Sequence, residues 1–83
     1  MRVTVRYFAA ARAAAGVESE NVDVPPGATV DILLKTVRAA HGDALGRVLD
    51  RCSFLLDEIA VRERDVPLHD GASVDVLPPF AGG

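Results

Sequence analysis

Chemistry in this 83-residue chain is concentrated in its last six positions, Pro78-Pro79-Phe80-Ala81-Gly82-Gly83. Glycine makes up about 7% of ordinary sequence, so a closing pair is roughly a one-in-two-hundred coincidence. Without a Cβ, Gly82 and Gly83 can take backbone angles closed to other residues, and can thread a tunnel too narrow for any side chain. Functionless frayed ends are usually polar and mixed in composition. These features predict that the reactive group is the α-carboxylate of Gly83, carried on a thin arm into another protein's active site. Pro78 and Pro79 fix φ and so reduce the ordering cost when that arm docks.

The other reactive side chains read as structural. Cys52 lies between a short helical turn and an apolar strand, where a buried inert thiol is far commoner than a persulfide relay. His41, near a helix C-terminus, reads as a partly buried cap favoured there as a cation. His69 lies in a turn without a second metal-binding side chain at a useful spacing, and is expected to be a solvated loop residue. Arg62-Glu63-Arg64-Asp65 alternates in sign, as a solvated loop or strand end does. Arg6, Arg12 and Arg51 could face an acidic partner surface.

Composition narrows the possibilities. The apolar fraction of 49% is ample for the core of one small domain. A formal net charge of −3 argues against a nucleic-acid groove or an anionic membrane surface as the main partner. One cysteine makes no internal disulfide and no four-thiolate metal site, which fits a reducing cytoplasm. No stretch of some 18 apolar residues suggests a membrane span, and the opening residues read as a strand rather than a signal region.

The elements that must carry the arm follow from periodicity. Arg2 to Tyr7 alternates, with Val3, Val5 and Tyr7 on one face. Ala9 to Ala15 favours helix and stops at Gly16. Glu18 to Val24 reads as a second strand with Val22 and Val24 inward, ended by Pro25-Pro26-Gly27. Thr29 is a good N-cap, and Val30, Leu33, Leu34, Val37 and His41 form one helical stripe closed by Gly42. Leu45, Val48 and Leu49 suggest one further helical turn. Ser53 to Leu56 and Ile59 to Arg62 read as strands about Asp57-Glu58, and Ser73 to Leu77 as the last strand, with Val74 and Val76 inward. An α+β domain over residues 1–77, with a mixed sheet on one main amphipathic helix, and a flexible tail over 78–83 is the expected organisation.

Two residues break this pattern. Continued alternation puts Phe8 on the polar face of the first strand, and Leu77 on the polar face of the last, in phase with Ser73 and Asp75. Either the pair forms an exposed protein-binding patch beside the tail, or both side chains tuck under a loop.

The chain resembles the ubiquitin-like sulfur-carrier family over essentially its whole length. The matching segments are Val5-Arg6-Tyr7-Phe8-Ala9, Arg12 with the Gly16 stop, Pro26-Gly27-Ala28-Thr29-Val30, Pro67-Leu68-His69-Asp70-Gly71, and Leu77 to Gly83. The terminal Pro-Pro-x-x-Gly-Gly is the specific part, and it is most similar to the branch that serves as the small subunit of molybdopterin synthase. The resemblance implies a β-grasp fold with a five-stranded sheet. It also implies a cycle in which a ubiquitin-activating-type enzyme, holding zinc and ATP, adenylates Gly83. A persulfide sulfur donor then converts the adenylate to a thiocarboxylate. The synthase large subunit finally receives the tail and passes the sulfur to a cyclic pterin precursor, in an assembly of two small and two large subunits. Gly82 and Gly83 would be the reacting end, and Phe8, Leu77, Pro78, Pro79, Phe80 and Ala81 the partner-binding residues. This chain itself would hold no metal or cofactor and would be a carrier, not an enzyme.

The family usually has Asn-Gly in the turn filled here by Asp57-Glu58. Glu fits positive φ poorly, so an altered turn type or register is expected. Sister carriers for thiamin thiazole or cysteine biosynthesis share the chemistry, but generally lack the Pro78-Pro79 doublet. A ubiquitin-like protein modifier is a second class, for which Lys35, the only lysine, leaves little capacity for self-linked chains. A plain interaction module would not need Gly82-Gly83 at all. A β-grasp iron–sulfur carrier is excluded, because Cys52 alone cannot replace four thiolates.

Overall fold

The structure, a computed structural model, describes residues 1–79; Phe80, Ala81, Gly82 and Gly83 lie outside the described residues. Strand β1 (Arg2–Tyr7) buries Val3, Val5 and Tyr7 and turns Arg2 and Arg6 outward, as its alternation predicts. It pairs antiparallel with β2 (Ser19–Asp23) and parallel with β5 (Ser73–Leu77). β5 pairs antiparallel with β3 (Ser53–Leu56), which pairs with the two-residue β4 (Ile59–Ala60). The strand order is β2-β1-β5-β3-β4.

The described residues also form three helices, α1 (Ala9–Ala15), α2 (Val30–His41) and α3 (Asp43–Leu49). The stripe of α2 buries Val30, Leu33, Leu34 and Val37 in one cluster with Val3, Val5, Val74 and Val76 of the central strands. Thr29 caps α2, its hydroxyl accepting from the Ile32 N–H. This mixed sheet grasping one main helix is the expected α+β, β-grasp architecture. The short turn expected after Gly42 is a full seven-residue helix, because Leu45 and Leu49 both reach the core. Strand β2 is shorter than expected, with Val24 buried beyond its end and Val22 half-buried.

The strand expected over Ile59 to Arg62 stops at Ala60. One more ladder bond follows, from Val61 N–H to Phe54 carbonyl at 2.9 Å, and then the chain leaves the sheet. It leaves in order to cap α2. The Arg64 and Val66 carbonyls accept from Asp31 and Val30 N–H groups at 2.9 and 3.1 Å, satisfying donors that a helix N-terminus otherwise leaves unpaired.

The β3–β4 turn corrects the expectation for Asp57-Glu58. Leu56 faces Ile59 and Leu55 faces Ala60, so the hairpin is tight and in register. Both loop residues are left-handed, with φ of 48° at Asp57 and 71° at Glu58. Asp57 is held from two sides: its N–H donates to the Ser73 carbonyl at 2.8 Å, and its Oδ1 accepts from the Ser73 N–H at 3.0 Å. Aspartate tolerates this region better than most residues, whereas Glu58 is strained there. Glu58→Gly is therefore expected to stabilise the protein by about 0.5–1 kcal/mol, the relieved strain outweighing glycine's entropy cost. A urea midpoint that rises at constant slope is the expected reading, and a fall would show that Glu58 is unstrained.

Asp57 also meets His69, Nε2 to Oδ2 at 2.6 Å, so the exposed His69 is bonded rather than merely solvated. The hydrogen bond that His69 donates to Asp57 raises the His69 pKa above 6.5. The Ser73 N–H, followed by His69, lowers that of Asp57 below 3.8. The stabilisation carried by His69 is thus complete below pH 6.5 and fades as pH rises through its elevated folded value. That carried by Asp57 is complete above pH 3.8 and fades as pH falls through its depressed value. The melting-temperature gap between the parent and His69→Ala is expected to be larger near about pH 5.5 than near about pH 8.5. A gap that does not change over that range would show that the pair adds nothing through charge.

Candidate functional site: an exposed face at the root of the tail

The two central strands run parallel, so β1 and β5 end side by side, and the tail leaves beside Phe8. The Phe8 N–H still bonds the Val76 carbonyl at 3.2 Å, and its own carbonyl starts α1 by accepting from Ala11 N–H at 3.0 Å. Phe8 therefore keeps the strand's alternation, and its ring points to the outer face of the sheet. It is 40% exposed, so the reading in which it tucks under a loop is overturned. Leu77, in register with Ser53, lies on the same face and is half-buried. Half-buried Leu55 and its exposed register partner Ala60 carry the same face towards the β4 edge, whereas the 72% exposed Ile59, opposite Leu56, lies on the other face. Ala9, immediately after Phe8, takes a left-handed φ of 50°, which turns the chain sharply from strand to helix.

Asp75 was placed outside by its phase, and it does lie on this outer face, but it is buried. The Arg6 Nε donates to Asp75 Oδ1 at 2.6 Å and Nη2 to Oδ2 at 2.7 Å, a bidentate pair that covers the carboxylate. The Arg6 guanidinium also stands 5.7 Å from the centre of the Phe8 ring, within cation–π range. Periodicity assigned the face correctly and missed the pair, whose partners are 69 positions apart. The signal that could have found it is an opposite-charge pair in phase on two strands expected to be neighbours.

Pro78 is half-buried and Pro79 exposed where the chain departs. Together with Ala10, Arg47, Val48, Asp50 and Arg51 they line an open groove of about 710 Å³. The remaining positions assigned to the tail, Phe80, Ala81, Gly82 and Gly83, lie outside the described residues.

The reactive side chains elsewhere have structural partners. Cys52 is buried, its Sγ donates to the Val48 carbonyl at 3.1 Å, and burial raises its pKa, so the thiol stays protonated and unreactive. His41 is half-buried in the last turn of α2 as expected, and its ring is engaged across the fold: its Nε2 lies 2.5 Å from Glu20 Oε2, an oxygen that also accepts from the Tyr7 hydroxyl at 2.6 Å. Burial, then the Glu20 hydrogen bond, pushes the Tyr7 pKa up. The trio ties β1, β2 and the end of α2 together. Among the described residues, no three His, Cys, Asp or Glu side chains converge as metal ligands, and no helix is long and apolar enough to cross a membrane.

Comparison with known proteins agrees with this geometry. The chain is 39% identical to the molybdopterin synthase sulfur carrier subunit of Chlamydomonas reinhardtii, over the full length of both. Its structure is similar to that of SAMP1 from Haloferax volcanii, with a TM-score of 0.89, 27% identity and full coverage of both chains. It is also similar to a chain in the complex of subunits 1 and 2 of the molybdopterin-converting factor from Helicobacter pylori, with a TM-score of 0.67, 27% identity and full coverage of both. The profile of the ThiS family matches residues 5–83, and the chain belongs to the ThiS family.

Proposed function

We propose that this protein is the sulfur carrier of a molybdopterin synthase, a non-catalytic subunit that works in the cytoplasm through the carboxylate of Gly83. The observation that carries this reading is the full-length 39% identity to the Chlamydomonas reinhardtii carrier subunit. The sequence supports it with the Pro78-Pro79 doublet ahead of Gly82-Gly83. The geometry supports it by setting the root of residues 78–83, the expected flexible tail, beside the exposed ring of Phe8.

In the proposed cycle, a ubiquitin-activating-type enzyme holding ATP and zinc couples the Gly83 carboxylate to AMP and releases pyrophosphate. A carboxylate is a poor acyl acceptor of nucleophiles, and the phosphate anhydride supplies the leaving group it lacks. The terminal sulfur of a persulfide displaces AMP, and a thiol then cleaves the resulting acyl disulfide to leave a thiocarboxylate. That group is ionised at neutral pH and is a soft nucleophile towards a pterin precursor. The large subunit is proposed to receive the tail while its surface covers Phe8 and Leu77, in an assembly of two carriers and two large subunits. The complex of subunits 1 and 2 from Helicobacter pylori supports a large-subunit partner.

Intact-protein mass spectrometry tests this, after incubation with an adenylating enzyme, ATP and a persulfide donor. The expected product gains the mass difference of one sulfur for one oxygen, localised to Gly83, and then restores synthase activity to the large subunit. A charged carrier that the large subunit cannot discharge, but a thiazole- or cysteine-forming partner can, would move the protein to a sister pathway.

A second reading, attachment to other proteins, is favoured by the likeness to small archaeal modifier protein 1 of Haloferax volcanii. It predicts a ladder of heavier adducts on blots of cell extract. Lys35, exposed on α2 and paired with Asp31 at 3.1 Å, is the one lysine at which a second copy could join.

A further inference from the structure

On the face proposed to meet the large subunit, Arg6 is the residue whose burial makes a demand on the partner. Its side chain is 48% exposed, whereas that of its counter-ion Asp75 is 8% exposed. A guanidinium has five N–H donors, and Asp75 uses one on Nε and one on Nη2. Three donors remain, and no other residue among those described accepts from them in a hydrogen bond. Arg6 also lies against Phe8, so a surface that covers the ring covers the guanidinium as well. Any donor buried there without an acceptor weakens the complex by about tenfold or more.

The charges nearby narrow what the partner can offer. Arg6 shares a small pocket of about 350 Å³ with Asp57, Glu58, Ser73 and Asp75. Asp75 and Glu58 both act on this guanidinium, while Asp57 is engaged by His69, so a further carboxylate from the partner would meet net repulsion. Neutral oxygens would not. We propose that Arg6, held in place by Asp75, is the specificity contact of this face, and that the synthase large subunit meets it with neutral carbonyl oxygens. The inference rests on the sulfur-carrier reading and names the chemistry of that partner's surface.

The double variant R6L/D75V tests it, since removing both residues leaves no uncompensated buried carboxylate and puts apolar side chains in their place. Its melting temperature is expected to equal or exceed the parent's. Its affinity for the large subunit, measured by calorimetry, is expected to fall about ten- to a hundredfold. The loss should be the same at low and high salt. Unchanged or tighter binding overturns the inference, and so does a loss that shrinks with salt, which would assign a partner carboxylate. If the double variant does not fold, Arg6→Lys decides: it keeps the charge and loses the fork, so weaker binding supports the inference and parental binding overturns it. Failure of the parent chain to bind the large subunit would remove the sulfur-carrier reading and the inference together, whereas a bound parent with an unaffected variant removes only the inference.

Discussion

Deleting Gly82 and Gly83 is expected to abolish sulfur transfer while leaving the body folded and able to dock. β5 ends at Leu77, and among the described residues every core side chain lies between Val3 and Val76, so the sheet and its core are built ahead of the tail. The shortened chain would end at Ala81, and its carboxylate would fall about 7 Å short of the site built for Gly83. Because a misplacement of about 1 Å can cost a hundredfold in rate, a gap of this size leaves no measurable turnover. An added residue after Gly83 should have the same outcome, since it replaces the carboxylate with an amide. Mass spectrometry should show no sulfur incorporation in either variant, beside an unchanged melting curve. Normal incorporation in either would end the proposal that Gly83 is the acyl handle.

Phe8→Asp is expected to be the most damaging single substitution on the folded body's surface. A central exposed aromatic is the kind of residue that contributes about 2 kcal/mol or more to an interface, and the new carboxylate would have to be desolvated there as well. Affinity for the large subunit should fall by a hundredfold or more. Stability should change little, since the ring is 40% exposed and the main-chain bonds to Val76 and Ala11 do not involve it. Calorimetry with the large subunit, run beside thermal melting, separates the effects. Parental affinity would remove Phe8 from the docking face, and an unfolded variant would show that the ring is structural. Phe8→Leu, which keeps the apolar area, should retain most of the binding.

Much of the architecture was legible because the buried residues follow clean periods. The alternation of Val3, Val5 and Tyr7, and the stripe from Val30 to His41, each describe one buried face, and the observed elements match them almost to the residue. What escaped periodicity was set by contacts distant in sequence. β4 is cut short because Arg64 and Val66 are needed at the start of α2. The turn at Asp57 and Glu58 takes left-handed angles because Ser73 and His69 hold Asp57 there. His41 pairs with Glu20 of β2, which its place on the helix does not reveal. At the candidate site, alternation identified Phe8 and Leu77 as a departure from the pattern but left two meanings open. The sheet bond from Phe8 to Val76 and the exposure of Phe8 separate them. Asp75 shows the opposite limit, since phase put it on the right face and could not show that Arg6 would bury it.

The parallel pairing of β1 with β5 has a consequence for biogenesis. Arg6 and its register partner Asp75 are 69 positions apart, and the middle of the sheet cannot close until both have been synthesised. Pairings this distant in sequence form slowly, so β1 is expected to wait for β5 through much of the folding reaction. Fragments that stop short of β5 would lack the closed sheet and, with it, the proposed docking face. In the proposed cycle, an activating enzyme that recognises the closed sheet would charge only folded molecules.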